Sequence, residues 1–108
     1  MPVYNKLVRD KIIAIIEAKG LSYNASVLEP QDFLKAVKAK MIEEAKEFQE
    51  AQNVQDSVEE LADILELVHT AMNALGISYN ELEEVREHKR AKRGGFEKAI
   101  FLMDVEEK

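Results

Sequence analysis

The chain has 108 residues, enough for one modest core, and we expect residues 1–108 to form a single domain. Hydrophobic residues make up 46% and charged residues 33%, a balance that excludes a disordered chain and is typical of a folded soluble protein. The absence of cysteine excludes disulfides and thiolate metal sites, and the net charge of -6 argues against general nucleic-acid binding while leaving room for a local basic pocket.

The first third of the chain predicts one short helix and one strand. Apolar residues recur at helical spacing from Leu7 to Lys19, and Gly20 follows as a natural helix end. Residues Ser22 to Leu28 alternate apolar and polar side chains, which indicates a short strand. We expect the apolar run from Ala99 to Val105 to pair with it as a minor two-stranded β element, 22–28 with 99–105.

Two long helices are predicted for the middle of the chain. The first has an apolar stripe that runs from Pro30 to about Ala51, and proline is favoured in the first turn of a helix. After a break from Asn53 to Gln55, the second helix is expected to be capped by Asp56 or Ser57 and to end before Gly76.

A further helix is predicted after Ser78. Glu81 lies three residues beyond Ser78, which is a capping-box pattern, and the helix becomes strongly basic before it ends at Gly94-Gly95. Together these elements predict an all-α fold, a bundle of about four helices. A bundle of this size buries more surface by self-association, so we expect an oligomer.

No stretch of the sequence predicts contact with a membrane. No apolar run approaches the length of a membrane span, and the N-terminus lacks the apolar region of a signal peptide. The expected location is therefore cytoplasmic.

The two central helices carry two pairs of acids with i, i+3 spacing. Glu44 pairs with Glu47, and Glu60 pairs with Asp63, so each pair presents two carboxylates on one helix face. At about 100° per residue, Glu44 falls inside the apolar stripe of its helix, as Glu60 does in the next helix. Glu43 projects away from the stripe and is expected to be solvated or salt-bridged. If the two helices pack side by side, four carboxylates converge.

Converging carboxylates predict a bound cation. A buried ionised carboxylate without a partner is costly, and two of them about 4 Å apart repel by on the order of 4 kcal/mol at an effective dielectric near 20. A ligand set made of oxygen atoms, without sulfur or imidazole, favours hard cations, of which Mg²⁺ and Mn²⁺ are the first candidates.

A di-iron carboxylate bundle is the competing interpretation of the same acids. Glu66-Leu-Val-His69 matches the Glu-x-x-His spacing of such sites. However, His69 projects roughly 150° away from the midpoint of Glu60 and Asp63, and no second Glu-x-x-His occurs. We therefore interpret His69 as a structural or surface histidine.

Two basic stretches are candidates for binding phosphate. Lys89 and Arg93 have i, i+4 spacing beside Gly94-Gly95, but basic residues near a helix C-terminus also complement the helix dipole, and spacing alone favours that role. Lys6 and Arg9, near the start of the chain, are either ligand groups or ordinary solvated charges.

Four motifs resemble one family when they are taken together. They are Tyr4-Asn-Lys-Leu-Val-Arg-Asp-Lys-Ile12, Glu43-Glu-x-x-Glu47, Glu60-x-x-Asp63 and Arg93-Gly-Gly-Phe96. In this order they are similar to the MazG-like all-α nucleoside triphosphate pyrophosphohydrolases, in the short house-cleaning branch related to phosphoribosyl-ATP pyrophosphohydrolase. One position departs from the branch, which commonly has proline where this chain has Ile13.

The resemblance implies a Mg²⁺-dependent hydrolase that converts a nucleoside triphosphate, ordinary or modified, to a monophosphate and pyrophosphate. Carried over position by position, the metal ligands and catalytic acids are Glu44, Glu47, Glu60 and Asp63. The implied substrate-binding residues are Lys6, Arg9, Lys89 and Arg93. Relatives assemble as homodimers or homotetramers.

Two alternatives to this function stay open. One is a phosphoribosyl-ATP pyrophosphohydrolase-like enzyme, and the other is a non-catalytic helical module that binds a nucleotide or a protein. The complete set of acids favours an enzyme, because a chain released from catalysis has no reason to keep Glu44 in an apolar stripe. The preferred nucleotide and the identity of the general base are not readable from the sequence.

Overall fold

The computed structural model describes residues 4–107, which form four α-helices and no strand. The helices are α1 (Ile12–Ala18), α2 (Pro30–Glu50), α3 (Val54–Leu75) and α4 (Tyr79–Arg93). The predicted all-α class is therefore confirmed for this part of the chain. The chain divides into two compact units, one that ends at Gly76 and one that begins at Ile77, and its grouping into a single domain stays a prediction.

In the first unit, α1 is shorter than predicted. A helix was expected from Leu7, but the first helical residue is Ile12. In the segment before α1, Lys6 and Arg9 instead form ion pairs with acids on α2 and α3. These contacts favour a non-helical segment over a continuation of α1. The predicted end is confirmed, because Gly20 adopts the left-handed φ of 70° that glycine tolerates best.

The start of α3 also differs from the prediction. The N-cap is Asn53, whose side-chain oxygen accepts a hydrogen bond from the backbone N–H of Asp56 at 2.8 Å. Asp56 and Ser57, which were expected to cap this helix, lie in its first turn. The break covers residues 51–53 instead of Asn53 to Gln55, so it shares only Asn53 with the prediction. Asparagine caps helices as well as aspartate or serine does, so three good cap residues competed within five positions.

The helices α2 and α3 pack against each other and form a small core. The buried apolar side chains of the described residues are Val37 on α2 and Leu67 and Met72 on α3. The one buried charged side chain among them is Glu44. The two helices therefore enclose an acid together with their apolar contacts.

The predicted β element is wrong, because neither 22–28 nor 99–105 forms a strand. The side chains of both stretches are exposed, and Val27 and Phe101 keep 98% and 87% of their surface accessible. Alternation of apolar residues indicates a strand only where one face is buried, and an isolated pair of strands is marginal.

In the second unit, the predicted start and end of α4 are confirmed. The hydroxyl of Ser78 accepts a hydrogen bond from the N–H of Glu81, and the Glu81 carboxylate accepts one from the N–H of Ser78, which completes a capping box. The helix ends at Gly94, which has a φ of 83°. None of the helices in residues 4–107 is long and apolar enough to cross a membrane.

Candidate functional site

The packing of α2 on α3 brings five acids into two overlapping groups. Glu43, Glu44 and Glu47 form the first group, and Glu44, Glu60 and Asp63 form the second. In each group, one carboxylate oxygen from every residue lies within 4.8 Å of the others. We call the five residues the acidic cluster. All four acids singled out in the sequence therefore lie in it, with Glu44 shared by both groups.

Two carboxylate oxygens in the acidic cluster are buried without a hydrogen-bond partner. They are Oε2 of Glu44 and Oε2 of Glu60, and Glu44 keeps only 6% of its surface exposed. Burial removes the water that would solvate such an oxygen, so an unpartnered one costs free energy. Binding of a cation or a proton would therefore stabilise one carboxylate oxygen on each of the two helices.

The pKa values of these two acids reflect the same conflict. Burial, first, and then the neighbouring carboxylates of Glu47 and Glu60 together raise the pKa of Glu44 from 4.5 to about 7. The pKa of Glu60 is also raised. The adjacent carboxyl group of Glu44 acts to lower the pKa of Glu60, but burial and the nearby carboxylates of Glu47 and Asp63 outweigh it.

Lys40 and Lys6 balance part of the charge from one side. The Nζ atom of Lys40 lies 3.2 Å from Oε2 of Glu43 and 3.5 Å from Oε1 of Glu44. The Nζ atom of Lys6 lies 3.3 Å from Oε1 of Glu43. Burial acts to lower the pKa of Lys40, but its hydrogen bonds to Glu43 and Glu44 and their charges raise it on balance. The expectation that Glu43 is solvated or salt-bridged is thus confirmed.

Lys40 was not singled out from the sequence, although a signal was present. It lies three residues before Glu43 and four before Glu44, a spacing at which a lysine meets acids on its own helix. Such pairs are common on solvated faces, so the spacing alone did not distinguish this lysine. What distinguishes it is burial, since only 18% of its side chain is exposed.

Arg9 contacts the acidic cluster from the segment before α1. Its Nη2 atom donates a hydrogen bond to Oδ1 of Asp63 at 2.6 Å. Together with the ion pair between Lys6 and Glu43, this contact joins the N-terminal segment to both α2 and α3. The structure therefore places Lys6 and Arg9, two candidate substrate-binding residues, beside the acids.

A cleft of about 250 Å³ opens between the N-terminal segment and α2. Its lining comprises residues Asn5, Lys6 and Leu7 on one side and Ala36, Ala39, Lys40 and Glu43 on the other. Asn5 adopts a φ of 43°, in the left-handed region that asparagine tolerates better than most residues. The cleft and the acidic cluster share Glu43.

The other two predicted substrate-binding residues, Lys89 and Arg93, lie on α4 in the second unit. Both are exposed and sit one helical turn apart, as their spacing predicted. Arg90 on the same helix pairs with Glu97 at 2.6 Å. Within residues 4–107, neither Lys89 nor Arg93 has such an ion-pair partner, so their charges face solvent.

The donor set of the acidic cluster consists of carboxylate oxygens. Neither group of possible ligands includes His69, and both lie within the described residues. Mg²⁺ and Mn²⁺ prefer oxygen ligands, whereas the di-iron bundles considered above combine carboxylates with histidines. The unpartnered oxygens of Glu44 and Glu60 fit such a cation, which would neutralise both at once.

Comparison with known protein families agrees with this chemistry. Residues 11–91 match the family model described as phosphoribosyl-ATP pyrophosphohydrolase. The matched range contains the whole acidic cluster and most of α4. No curated protein and no solved structure matches the chain significantly.

Proposed function

The chain belongs to the phosphoribosyl-ATP pyrophosphohydrolase family, and on this premise we propose that it is a divalent-metal-dependent nucleotide pyrophosphohydrolase. Its substrate is a nucleoside triphosphate, ordinary or modified, which it converts to a monophosphate and pyrophosphate. Such an enzyme removes unwanted nucleotides from the cytoplasmic pool. The observation that carries the proposal is the pair of buried, unpartnered oxygens of Glu44 and Glu60.

Mg²⁺ or Mn²⁺ would be held by Glu44, Glu47, Glu60 and Asp63. Bound there, the cation would neutralise the polyphosphate and would lower the pKa of a coordinated water to make it a nucleophile. The carboxylates of the chain position this cation and accept the proton that the attacking water loses. The family match supports this assignment, as does the exclusive use of oxygen donors in both groups.

The basic residues would bind the phosphate groups. Lys6 and Arg9 already lie beside the acids through their contacts with Glu43 and Asp63. Lys89 and Arg93 present unpaired charges on one face of α4, which suits them to an anionic ligand. Arginine can bind phosphate oxygens through two parallel hydrogen bonds, whereas lysine acts as a point charge.

We further propose that the protein functions as a homodimer or homotetramer. The helix α3 has a second apolar stripe besides the one that faces α2. It consists of Val54, Val58, Leu61 and Leu65, all exposed and spaced by four, three and four residues. This is the heptad spacing of helices that pack on one another, so a second copy of the chain would cover it.

Phosphoribosyl-ATP is the second candidate substrate, and the family match favours it equally. The deciding experiment incubates the protein with a panel of ordinary and modified nucleoside triphosphates and phosphoribosyl-ATP, with and without Mg²⁺, and measures pyrophosphate. We expect Mg²⁺-dependent release from at least one member. If no member yields metal-dependent release, the protein is instead a non-catalytic binding module.

The variant Glu60→Gln tests the ligand assignment in the same assay. The substitution keeps the shape of the side chain but removes the charge that the cation needs, so we expect activity to fall by at least about a hundredfold. Glu59→Gln, at the neighbouring exposed position, is the matched control and should keep its activity. A fully active Glu60→Gln variant would contradict the assignment.

A further inference from the structure

Two lysines from distant parts of the chain meet at one carboxylate. Lys6, before α1, and Lys40, on α2, bind opposite oxygens of Glu43 at 3.3 and 3.2 Å. They are 34 positions apart in the sequence, so their meeting is a product of the fold rather than of helix spacing. Two ammonium groups therefore lie side by side at Glu43, and Lys40 also contacts Glu44 at 3.5 Å.

The two lysines also line the cleft between the N-terminal segment and α2. The remaining lining is small or polar, with Ala36 and Ala39 on the helix and Asn5 opposite them. Among the described residues, no aromatic side chain belongs to the lining, and the ring of Tyr4, 5.7 Å from Nζ of Lys6, lies outside it; stacking on aromatic rings is the usual way in which proteins hold a nucleobase. The cleft thus offers ammonium and amide donors rather than a stacking surface.

The cleft adjoins the acidic cluster directly. Glu43 forms part of the cleft wall and lies within 4.8 Å of Glu44 and Glu47 by its nearest carboxylate oxygen. Lys40 bridges the two regions, because its Nζ atom contacts Glu43 and Glu44. A phosphate chain attached to a cation in the cluster would therefore have its next phosphate groups within reach of these lysines.

We propose that this cleft binds the pyrophosphate portion of the substrate, with Lys6 and Lys40 as hydrogen-bond donors to its oxygens. This inference rests on the proposed function and adds Lys40 and the cleft to it. Each lysine exchanges a charge-assisted hydrogen bond to Glu43 for one to a phosphate oxygen, which carries more negative charge. The same site then holds pyrophosphate as a product.

The position of the lysines suits the hydrolytic step. Water adds to the α-phosphorus and loses its proton to a carboxylate of the acidic cluster. The bond from that phosphorus to the α,β-bridging oxygen breaks, and its electron pair stays on the departing pyrophosphate. Two ammonium groups beside the pyrophosphate stabilise the charge that develops there. Because pyrophosphate is common to every candidate nucleotide, the cleft contributes affinity without selecting the base.

The test is calorimetric titration of inorganic pyrophosphate into the full chain in the presence of Mg²⁺. We expect Lys40→Met and Lys6→Met each to weaken binding by about tenfold, because each removes one charge-assisted hydrogen bond. Lys40→Arg keeps the charge and should bind pyrophosphate more tightly than Lys40→Met. The matched control is Lys38→Met, an exposed lysine on α2 that does not line the cleft, and it should bind as the wild type does.

Several results would overturn the inference. They are a wild-type protein that does not bind pyrophosphate, cleft variants that bind it as the wild type does, or an equal loss in Lys38→Met. If Lys40→Met does not fold, as judged by its circular dichroism, Lys6→Met decides the question, since Lys6 lies in an exposed segment.

Lysine-dependent binding of pyrophosphate without hydrolysis of any nucleotide would uphold the cleft and refute the proposed enzyme. Hydrolysis with lysine-independent binding would do the reverse.

Discussion

Glu44 is an acidic side chain that is both buried and surrounded by other acids. It lies on the buried face of α2, where an apolar side chain would stabilise the fold, yet it has four acidic neighbours in the cluster. Its raised pKa of about 7 means that the folded, metal-free protein holds a proton on this residue at mildly acidic pH. A divalent cation would take the place of that proton.

The raised pKa of Glu44 predicts how the stability of the metal-free protein changes with pH. Because the folded pKa of about 7 exceeds the usual 4.5, the stabilising contribution of the proton is complete below about pH 4.5 and lost as the pH rises through 7. Glu44→Gln removes the charge, so in EDTA at pH 8 we expect its free energy of unfolding to exceed that of the wild type by about 1 to 3 kcal/mol. At pH 5 this advantage should shrink, since Glu44 is then protonated. Urea denaturation at both pH values measures it.

Two comparisons make this prediction specific to the acidic cluster. Glu50→Gln removes a charge from an exposed position on the same helix and should leave the stability nearly unchanged at both pH values. Addition of Mg²⁺ at pH 8 should stabilise the wild type but not Glu44→Gln, because a ligand that binds only the folded state stabilises it. If Glu44→Gln is less stable than the wild type at pH 8 without metal, the charge of Glu44 does not destabilise the folded protein and the prediction is wrong.

At the scale of the elements, the start of α3 depends on which residue caps the helix, Asn53 or one of the later candidates Asp56 and Ser57. The structure assigns the cap to Asn53, whose side chain accepts the N–H of Asp56, whereas Ser57 donates its hydroxyl to the backbone oxygen of Asn53. Asn53→Ala should therefore destabilise the protein by about 1 kcal/mol. Ser57→Ala should cost less, because it leaves the capped N–H satisfied. Urea denaturation of both variants, with the opposite order as the contradicting result, tests the assignment.

The elements also show what the sequence could predict. The helices α2, α3 and α4 were predicted to within a few residues, because their apolar periodicity is long and Gly76 and Gly94 end two of them. The convergence of Glu44 with Glu60 and Asp63 followed from the same periodicity, since residues on the buried faces of two adjacent helices must meet.

What the sequence did not predict depends on contacts between distant residues. The segment before α1 is held by Lys6 and Arg9 through ion pairs to residues 37 and 54 positions away, and no local pattern encodes such a contact. The importance of Lys40 likewise depends on burial, which its spacing to Glu43 does not report. The wrong prediction of strands at 22–28 and 99–105 arose differently. Their local apolar pattern was present, but neither stretch packs on a buried surface.

At the scale of the whole molecule, the two apolar stripes of α3 differ in how far they are covered. One faces α2 and includes the buried Leu67, whereas Val54, Val58, Leu61 and Leu65 remain exposed. A helix that is apolar on two faces is stable in water only when both are covered. Complete burial of a fully exposed side chain of this size contributes about 1.5 to 3 kcal/mol, and about half or more of the surface of each of these four is still exposed, so their burial would contribute to the affinity of a dimer.

We therefore expect Leu61→Glu to shift the protein towards the monomer, because it places a charge in the middle of the exposed stripe and, in a symmetric dimer, two charges close together. Sedimentation velocity over a range of protein concentrations measures the shift. The matched control is Gln55→Glu, which adds the same charge at an exposed position about 120° around the helix from Leu61. It should assemble as the wild type does. A wild-type protein that is monomeric at all concentrations, or a Leu61→Glu variant that assembles normally, would contradict the proposed interface, and neither result would bear on the metal ligands.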